Sequence, residues 1–136
     1  MNRAQQDDVG KLLVRWTVGG MMLFHGLHKV FHGVGKIPVW LAERGLPGWF
    51  AYGVYVGEVV APLLICAGLR SRAAALVLAF NMLVAIWLVH GQDVLRRSVS
   101  GGWAIELQMF YLLGALAVAL FGSGRYSLSR GRGRWD

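Results

Sequence analysis

The sequence feature that most constrains this chain is a long apolar stretch that contains a single carboxylate. Between Arg44 and Arg70 the only charged residue is Glu58. An apolar segment of more than about 18 residues is long enough to cross a hydrocarbon layer about 30 Å thick as a helix. An ionised side chain near the centre of that layer costs about 2.5 kcal/mol or more, so it is expected to be protonated, paired or close to water. The stretch therefore predicts a transmembrane helix in which Glu58 needs a partner or a function.

The composition is typical of a membrane protein and not of a soluble domain. Hydrophobic residues make up 56% of the 136 residues and charged residues only 15%, whereas soluble globular chains carry about 25% charged residues. The formal net charge is +7, but the basic residues lie at the borders of the apolar stretches. That placement is typical of transmembrane helices and not of a face that binds nucleic acid. We therefore expect the lipid bilayer as a partner, and no nucleic acid.

Four apolar segments predict an all-α fold, namely an integral membrane four-helix bundle with antiparallel helices. The whole chain, residues 1–136, is expected to form a single membrane domain with spans at about residues 9–31, 49–69, 73–90 and 103–121. The connection between the second and third spans is so short that these two helices must be antiparallel neighbours. Between the first and second spans, the segment PVWLAERG predicts a short interfacial helix. Pro38 lies at its start, Gly45 lies at its end, and Trp40 and Leu41 are expected to contact lipid.

The distribution of the basic residues predicts the orientation of the chain in the membrane. Nine Lys and Arg residues fall on the side of the two termini, which includes the basic tail at 122–136, and five fall on the opposite side. The more basic side is usually cytoplasmic, so both termini are expected in the cytoplasm. Two basic residues inside the first span, Arg15 and Lys29, are expected to extend toward opposite interfaces.

This topology is expected to bring polar side chains of different spans together in the outer half of the bundle. With a rise of about 1.5 Å per residue, the second span places its carboxylate in that half. The candidate residues of this polar pocket are His25, Tyr55, Glu58, Asn81, His90 and Glu106.

Simpler roles stay open for these residues, and we assign no catalytic residue and no metal site from the sequence. Glu58 can form a structural pair, for which Lys29, His25 and Asn81 are the candidate partners. Asn81 can serve to join helices, and Glu106 can stabilise the positive end of its own helix.

Three motifs carry a resemblance to a known family. They are HGLHKVF at 25–31, GLRSRAAA at 68–75 followed by NMLVAIWLVH at 81–90, and GSGRYSL at 122–128. With these motifs, the chain from about Leu12 to Leu128 resembles the DoxX family of small four-helix bacterial membrane proteins. The resemblance implies an inner-membrane location and a loose link to thiosulfate or quinol oxidation complexes or to oxidative-stress defence. In that family a pair of glycines usually follows the glutamate of the second helix, whereas this sequence has Ala61 and Pro62 instead.

The leading hypothesis is an accessory subunit of a membrane oxidoreductase whose polar pocket contacts a quinone-like headgroup or accepts protons. Carboxylate and imidazole groups can transfer the protons of quinone chemistry. The sequence contains no CxxCH, no cysteine cluster and no glycine-rich dinucleotide loop, so no intrinsic cofactor is expected, and a quinone or a partner would carry the electrons. A non-catalytic membrane scaffold or assembly protein is the alternative, and a small transporter or metal handler is a weaker one. The expected assembly is a homo-oligomer or a larger membrane complex.

Overall fold

The computed structural model describes all 136 residues, and every regular element is helical. The all-α class predicted from the sequence is therefore confirmed. Four helices are long, each overlaps one predicted span, and a fifth is short. The helices are α1 at residues 3–32, α2 at Ile37–Glu43, α3 at Gly48–Ala67, α4 at Ser71–Val89 and α5 at Glu106–Phe121.

Helix α1 is continuous, although one turn near its middle is wider than a regular α-helical turn. It consists of Arg3–Arg15, a π-helical turn at Trp16–Gly20, and Met21–His32. Asn2 and Gln5 cap its start reciprocally. The N–H of Gln5 donates to the Asn2 side chain at 2.9 Å, and the N–H of Asn2 donates to the Gln5 side chain at 3.0 Å. This capping box satisfies amides at the helix start and explains why α1 begins well before residue 9.

The short helix α2 lies where the sequence predicts a short helix. Pro38 occupies its first turn, where a missing N–H costs little, and Gly45 follows the helix with φ +72°. Leu41 is only 4% exposed and packs with Ala51 and Leu88. The expectation that Leu41 contacts lipid is therefore wrong, because this side chain packs between α2 and the helices α3 and α4.

Helices α3 and α4 form a hairpin with a tight turn. Helix α3 starts with a 3-10 turn at Gly48–Tyr52, contains a π-helical turn at Val56–Val60, and ends where Gly68 adopts φ +71°. Only residues 68–70 separate it from α4. This short connection makes the two helices antiparallel neighbours, as the sequence predicts.

Helix α5 begins later than the sequence predicts. The apolar pattern places the fourth span from about residue 103, whereas the helix starts at Glu106. Trp103 pairs with Arg97 across the loop, and its indole N–H donates to the carbonyl of Val94 at 2.7 Å. These contacts hold the segment before Glu106 in a loop. Glu106 is therefore the first residue of the helix.

The four long helices pack in a closed order, with α1 against α3, α3 against α4, α4 against α5 and α5 against α1. Helices α1 and α3 run antiparallel, because Gly19 faces Pro62 and Gly26 faces Glu58. Small and apolar side chains fill the space between the helices. The most buried of these are Ile65, Ala75, Leu78, Ala115 and Val118.

Two of the helices, Gly48–Ala67 and Ser71–Val89, are long and apolar enough to cross a membrane. Helix α5 is also apolar but shorter. Large apolar side chains face outward on several helices, and those with 68–75% exposure include Phe24, Phe80, Phe110 and Leu120. An apolar surface of this kind is typical of contact with a membrane or with other proteins.

The tail at residues 122–136 folds back against the ends of the helices and does not extend away from them. The N–H of Leu128 donates to the carbonyl of Ala67 at 3.0 Å, and the N–H of Arg72 donates to the carbonyl of Trp135 at 2.9 Å. The tail therefore covers the turn between α3 and α4.

Candidate functional site

The carboxylate of Glu58 forms a buried ion pair with the Nζ atom of Lys29. The Glu58 side chain is 8% exposed and the Lys29 side chain is 26% exposed, so the carboxylate is enclosed while the amine keeps an opening to the surface. Of the roles that the sequence leaves open for Glu58, the structure supports the pair with Lys29. The expectation that Lys29 extends away toward an interface is wrong, because the buried carboxylate attracts the amine. The attraction between the two charges offsets part of the cost of burying them.

Helices α1 and α3 approach closely at the buried ion pair because α1 carries a glycine there. A Cβ atom at Gly26 would overlap the backbone carbonyl of Glu58. Glu58 itself lies in the π-helical turn Val56–Val60, and single turns of this type often occur at functional sites. The hydroxyl of Tyr55 donates to the backbone carbonyl of Lys29 at 3.1 Å. These contacts hold both members of the ion pair in place.

We predict that Gly26→Ala lowers the free energy of unfolding by about 1–3 kcal/mol, because the added methyl group forces the two helices apart. The measurement is equilibrium unfolding in detergent micelles, followed by circular dichroism. Gly10→Ala is the matched control, since Gly10 lies in the same helix with nothing within 4 Å of its Cβ position. The control is expected to retain or raise the stability, by up to about 1 kcal/mol. Equal effects of the two substitutions would contradict the close contact at Gly26.

Asn81 lies on α4, and His25 lies on α1 one turn before Lys29. The Asn81 side chain of α4 packs against Gly57, the residue before Glu58. Its Nδ2 atom is buried and has no hydrogen-bond partner, and a buried donor without a partner needs a water molecule or a ligand. His25 is exposed and contacts the ring of Tyr111 edge-on, with 5.7 Å between the ring centroids. Tyr111 belongs to α5 and is not among the residues that the sequence singles out.

His90 and Glu106 make no hydrogen bond or ion pair with the buried ion pair. The Nε2 atom of His90 lies 3.0 Å from the side-chain nitrogen of Gln108, and its Nδ1 atom lies 3.6 Å from the Asp93 carboxylate. Glu106 is exposed, and its carboxylate lies beside Gly102 in the preceding loop. A carboxylate in the first turn of a helix stabilises the helix start by about 0.3–1 kcal/mol. The geometry of Glu106 therefore matches the role of stabilising the positive end of its own helix.

The histidines and carboxylates do not converge on one point. No group of three His, Cys, Asp or Glu side chains lies close enough to hold a metal ion. His28 and His32 are exposed and stack on each other, with 4.3 Å between their ring centroids. A metal handler needs several such ligands around one ion, so the geometry gives this hypothesis no support.

Arg15 forms a second buried polar site, at the end of the helices that the tail covers. Its side chain is 1% exposed. The guanidinium donates to the carbonyls of Ile65 and Cys66 at 2.9 Å each, to that of Tyr126 at 3.2 Å, and to that of Ser123. The Arg15 guanidinium reaches the end of the helices but does not lie in solvent, because its N–H donors are satisfied by carbonyls at the end of α3 and the start of the tail.

Comparison with known proteins places the chain in a family. The sequence profile of the DoxX family matches residues 10–91, more than half of the 136-residue chain. The chain belongs to the DoxX family. Over 116 residues it is also 29% identical to a Bacillus subtilis (strain 168) protein named "Putative oxidoreductase CatD", and the match covers 85% of this chain and 81% of that protein. No solved structure gives a significant match.

Membership of the DoxX family, together with the long apolar helices, identifies a membrane protein. The part of the chain that matches the DoxX profile contains Arg15, Lys29 and Glu58 and ends before Glu106. The charged side chains of both buried polar sites, the ion pair and Arg15, therefore lie in the matched region.

The residues after Glu58 in this DoxX chain still allow close packing, although they are Ala61 and Pro62. A Cβ atom at Gly19 of α1 would lie 3.0 Å from the carbonyl oxygen of Pro62. Ala61 is 2% exposed. The glycine that permits the close approach at this level is therefore on α1, and α3 needs no glycine there.

Proposed function

We propose that this DoxX protein is a multi-pass protein of a bacterial inner membrane, folded as an antiparallel four-helix bundle with both termini in the cytoplasm. The closed packing order of α1, α3, α4 and α5 and the apolar outer surface support the bundle. The excess of basic residues on the side of the termini supports the orientation. In this arrangement α2 lies at the opposite interface, where its Val39 side chain is 56% exposed.

Within the membrane, the function that the geometry supports best is that of an accessory subunit of a quinone-linked oxidoreductase. The observation that carries the proposal is the buried ion pair, because intramembrane charges of this kind commonly mark pathways of protons or substrates. The partly exposed amine of Lys29 connects the enclosed Glu58 with the surface. Tyr55 contacts the backbone of Lys29, and His25 lies one turn before it on α1. The name of the Bacillus subtilis relative supports the redox class.

The residues around the ion pair offer hydrogen-bond donors of the kind that a quinone headgroup needs. A quinone presents carbonyl oxygens, and the unpartnered Nδ2 donor of Asn81 and the ammonium of Lys29 are suitable donors to them. Oxidation of a quinol releases two electrons and two protons. In the proposed role the electrons pass to a redox group of the partner enzyme, while Glu58 and His25 accept the protons and release them to water.

The proposal predicts that Glu58→Gln and His25→Ala each weaken the binding of a quinone analogue by about tenfold or more. A hydrogen bond to a charged group contributes about 1.5–3 kcal/mol, which corresponds to that factor. The measurement is calorimetric titration of the purified protein with the analogue. Glu106→Gln makes the same chemical change at an exposed carboxylate and is expected to bind like the wild type. Unchanged affinity in both Glu58→Gln and His25→Ala would reject the site.

A non-catalytic scaffold is the second candidate function, and the tight contact between α1 and α3 favours it. In this role the ion pair only fixes the two helices, and the protein holds a partner or a second copy in a membrane complex. Copurification in mild detergent would identify the assembly. The scaffold predicts that Glu58→Gln reduces the amount of assembled complex and leaves the turnover of each assembled complex unchanged.

A further inference from the structure

A groove of about 450 Å³ lies where α4 and α5 meet the tail. This volume is within the range of small-molecule sites, about 300–1,000 Å³. The groove combines an apolar wall, formed by leucines of the two helices, with two arginines and a tryptophan at the helix ends. The lining side chains include Arg72, Leu76, Leu116, Leu120, Arg134 and Trp135.

The two arginines keep donors that no protein group uses. The Nε atom of Arg72 donates to the carbonyl of Asp136 at 2.9 Å and one Nη atom donates to the carbonyl of Ala119 at 3.1 Å, so the other Nη atom is free. The Arg134 side chain is exposed and takes part in none of the ion pairs of the chain. Trp135 is held at the groove because its carbonyl accepts from the N–H of Arg72. The groove thus has two guanidinium groups. That of Arg72 is held by hydrogen bonds next to Asp136, and that of Arg134 is exposed.

We propose that this groove binds an anionic phospholipid, with its phosphate between Arg72 and Arg134 and an acyl chain along the leucines. Guanidinium groups bind phosphate oxygens through several N–H donors. The groove lies at the ends of two apolar helices, which is the depth of the lipid headgroups, and a tryptophan is typical of that depth. The apolar wall, with Leu76 at 47% and Leu116 at 39% exposure, favours a lipid over a free phosphate ion. The inference needs only the membrane location and does not depend on the ion pair or on a quinone.

Native mass spectrometry of the detergent-purified protein, equilibrated with equal amounts of phosphatidylglycerol and phosphatidylcholine, tests this proposal. The wild type is expected to retain phosphatidylglycerol preferentially, and Arg134→Ala is expected to lower that retention about fivefold, the contribution of one basic residue near an anionic headgroup. Arg3→Ala is the matched control, because it removes an exposed arginine at the same end of the molecule, outside the groove. The control is expected to retain the lipid like the wild type.

The acyl-chain contact has its own variant and outcome. Leu116→Trp fills the groove without changing a charge, and it is expected to lower retention of phosphatidylglycerol at least as much as Arg134→Ala. Equal losses in Arg3→Ala and Arg134→Ala would overturn the proposal, because they would indicate a diffuse attraction to all exposed arginines. Full displacement of the lipid by soluble glycerol phosphate would also overturn it, because the phosphate alone would then be the ligand. If only the monomer retained the lipid and dimerisation removed it, the groove would be the binding site of a second copy of the chain and not of a lipid.

Discussion

Replacing Arg15 by Met is expected to lower the free energy of unfolding by at least about 3 kcal/mol. The substitution removes every hydrogen bond from the guanidinium to the carbonyls of Ile65, Cys66, Ser123 and Tyr126. The carbonyls of Cys66, Ser123 and Tyr126 then lose their donor from Arg15, whereas that of Ile65 keeps the N–H of Gly68 at 3.1 Å. A buried acceptor left without a donor costs about 1–3 kcal/mol. Because Met is also long and apolar, the loss of stability reflects the missing hydrogen bonds more than a cavity.

The hydrogen bonds from Arg15 to these four carbonyls form a clamp between α1, the end of α3 and the tail. Two further variants separate the effect of this clamp from a general effect of charge. Arg15→Lys keeps the positive charge but lacks the planar fork of donors, so it is expected to lose at least half of the stability that Arg15→Met loses. Arg3→Met removes an exposed arginine of the same helix and is expected to change the stability by less than about 0.5 kcal/mol. Because the clamp holds the tail, trypsin is expected to cleave after Arg125 and Arg130 faster in Arg15→Met. Equal stability and equal cleavage in Arg15→Met and Arg3→Met would contradict the clamp.

Replacing Lys29 by Met is expected to lower the free energy of unfolding by about 3 kcal/mol, because it leaves Glu58 buried without a counter-charge. The reverse single change, Glu58→Gln, is expected to cost less. The Lys29 side chain is 26% exposed, so without its partner the amine can reach water at the end of its aliphatic chain.

The double variant Lys29→Met/Glu58→Gln tests whether this loss comes from the unpaired charge. It is expected to recover most of the stability lost in Lys29→Met, since two neutral side chains of similar size replace the pair. The measurement is unfolding in micelles with the same detergent for all variants. Additive losses in the double variant would indicate that Lys29 and Glu58 do not interact, which would contradict the ion pair.

The long helices could be predicted from the sequence because their signal is local. Apolar runs bounded by basic residues indicate helices of membrane-spanning length wherever they occur in the chain. Glu58 could be singled out in the same way, since a lone carboxylate in such a run is costly. The start of α5 could not be found from the apolar pattern. It depends on Trp103, which is apolar enough to extend the run but contacts Arg97 and Val94 in the loop.

The partners of the buried charges depend on contacts between distant parts of the chain. Lys29 appears at the end of an apolar run, where extension to the interface is the usual role of such a residue. Its pairing with Glu58 requires the close approach of α1 and α3 at Gly26. Arg15 depends on the tail, because two of its acceptors, Ser123 and Tyr126, lie more than 100 residues away. In the first span, glycines occur near the basic residues. This is the one local signal in the sequence that indicates close packing of helices at the buried charges.

In the proposed function, the buried ion pair exchanges protons with a quinone and does not only hold two helices together. The measurement that tests it most directly is quinone-dependent turnover per assembled copy of the oxidoreductase that is expected to copurify with this protein. We predict that Glu58→Gln lowers this turnover by about 10²-fold or more, the usual contribution of a proton-transferring side chain, while Glu106→Gln leaves it unchanged. Unchanged turnover per assembled copy in Glu58→Gln, with fewer copies assembled, would contradict the claim and indicate the scaffold.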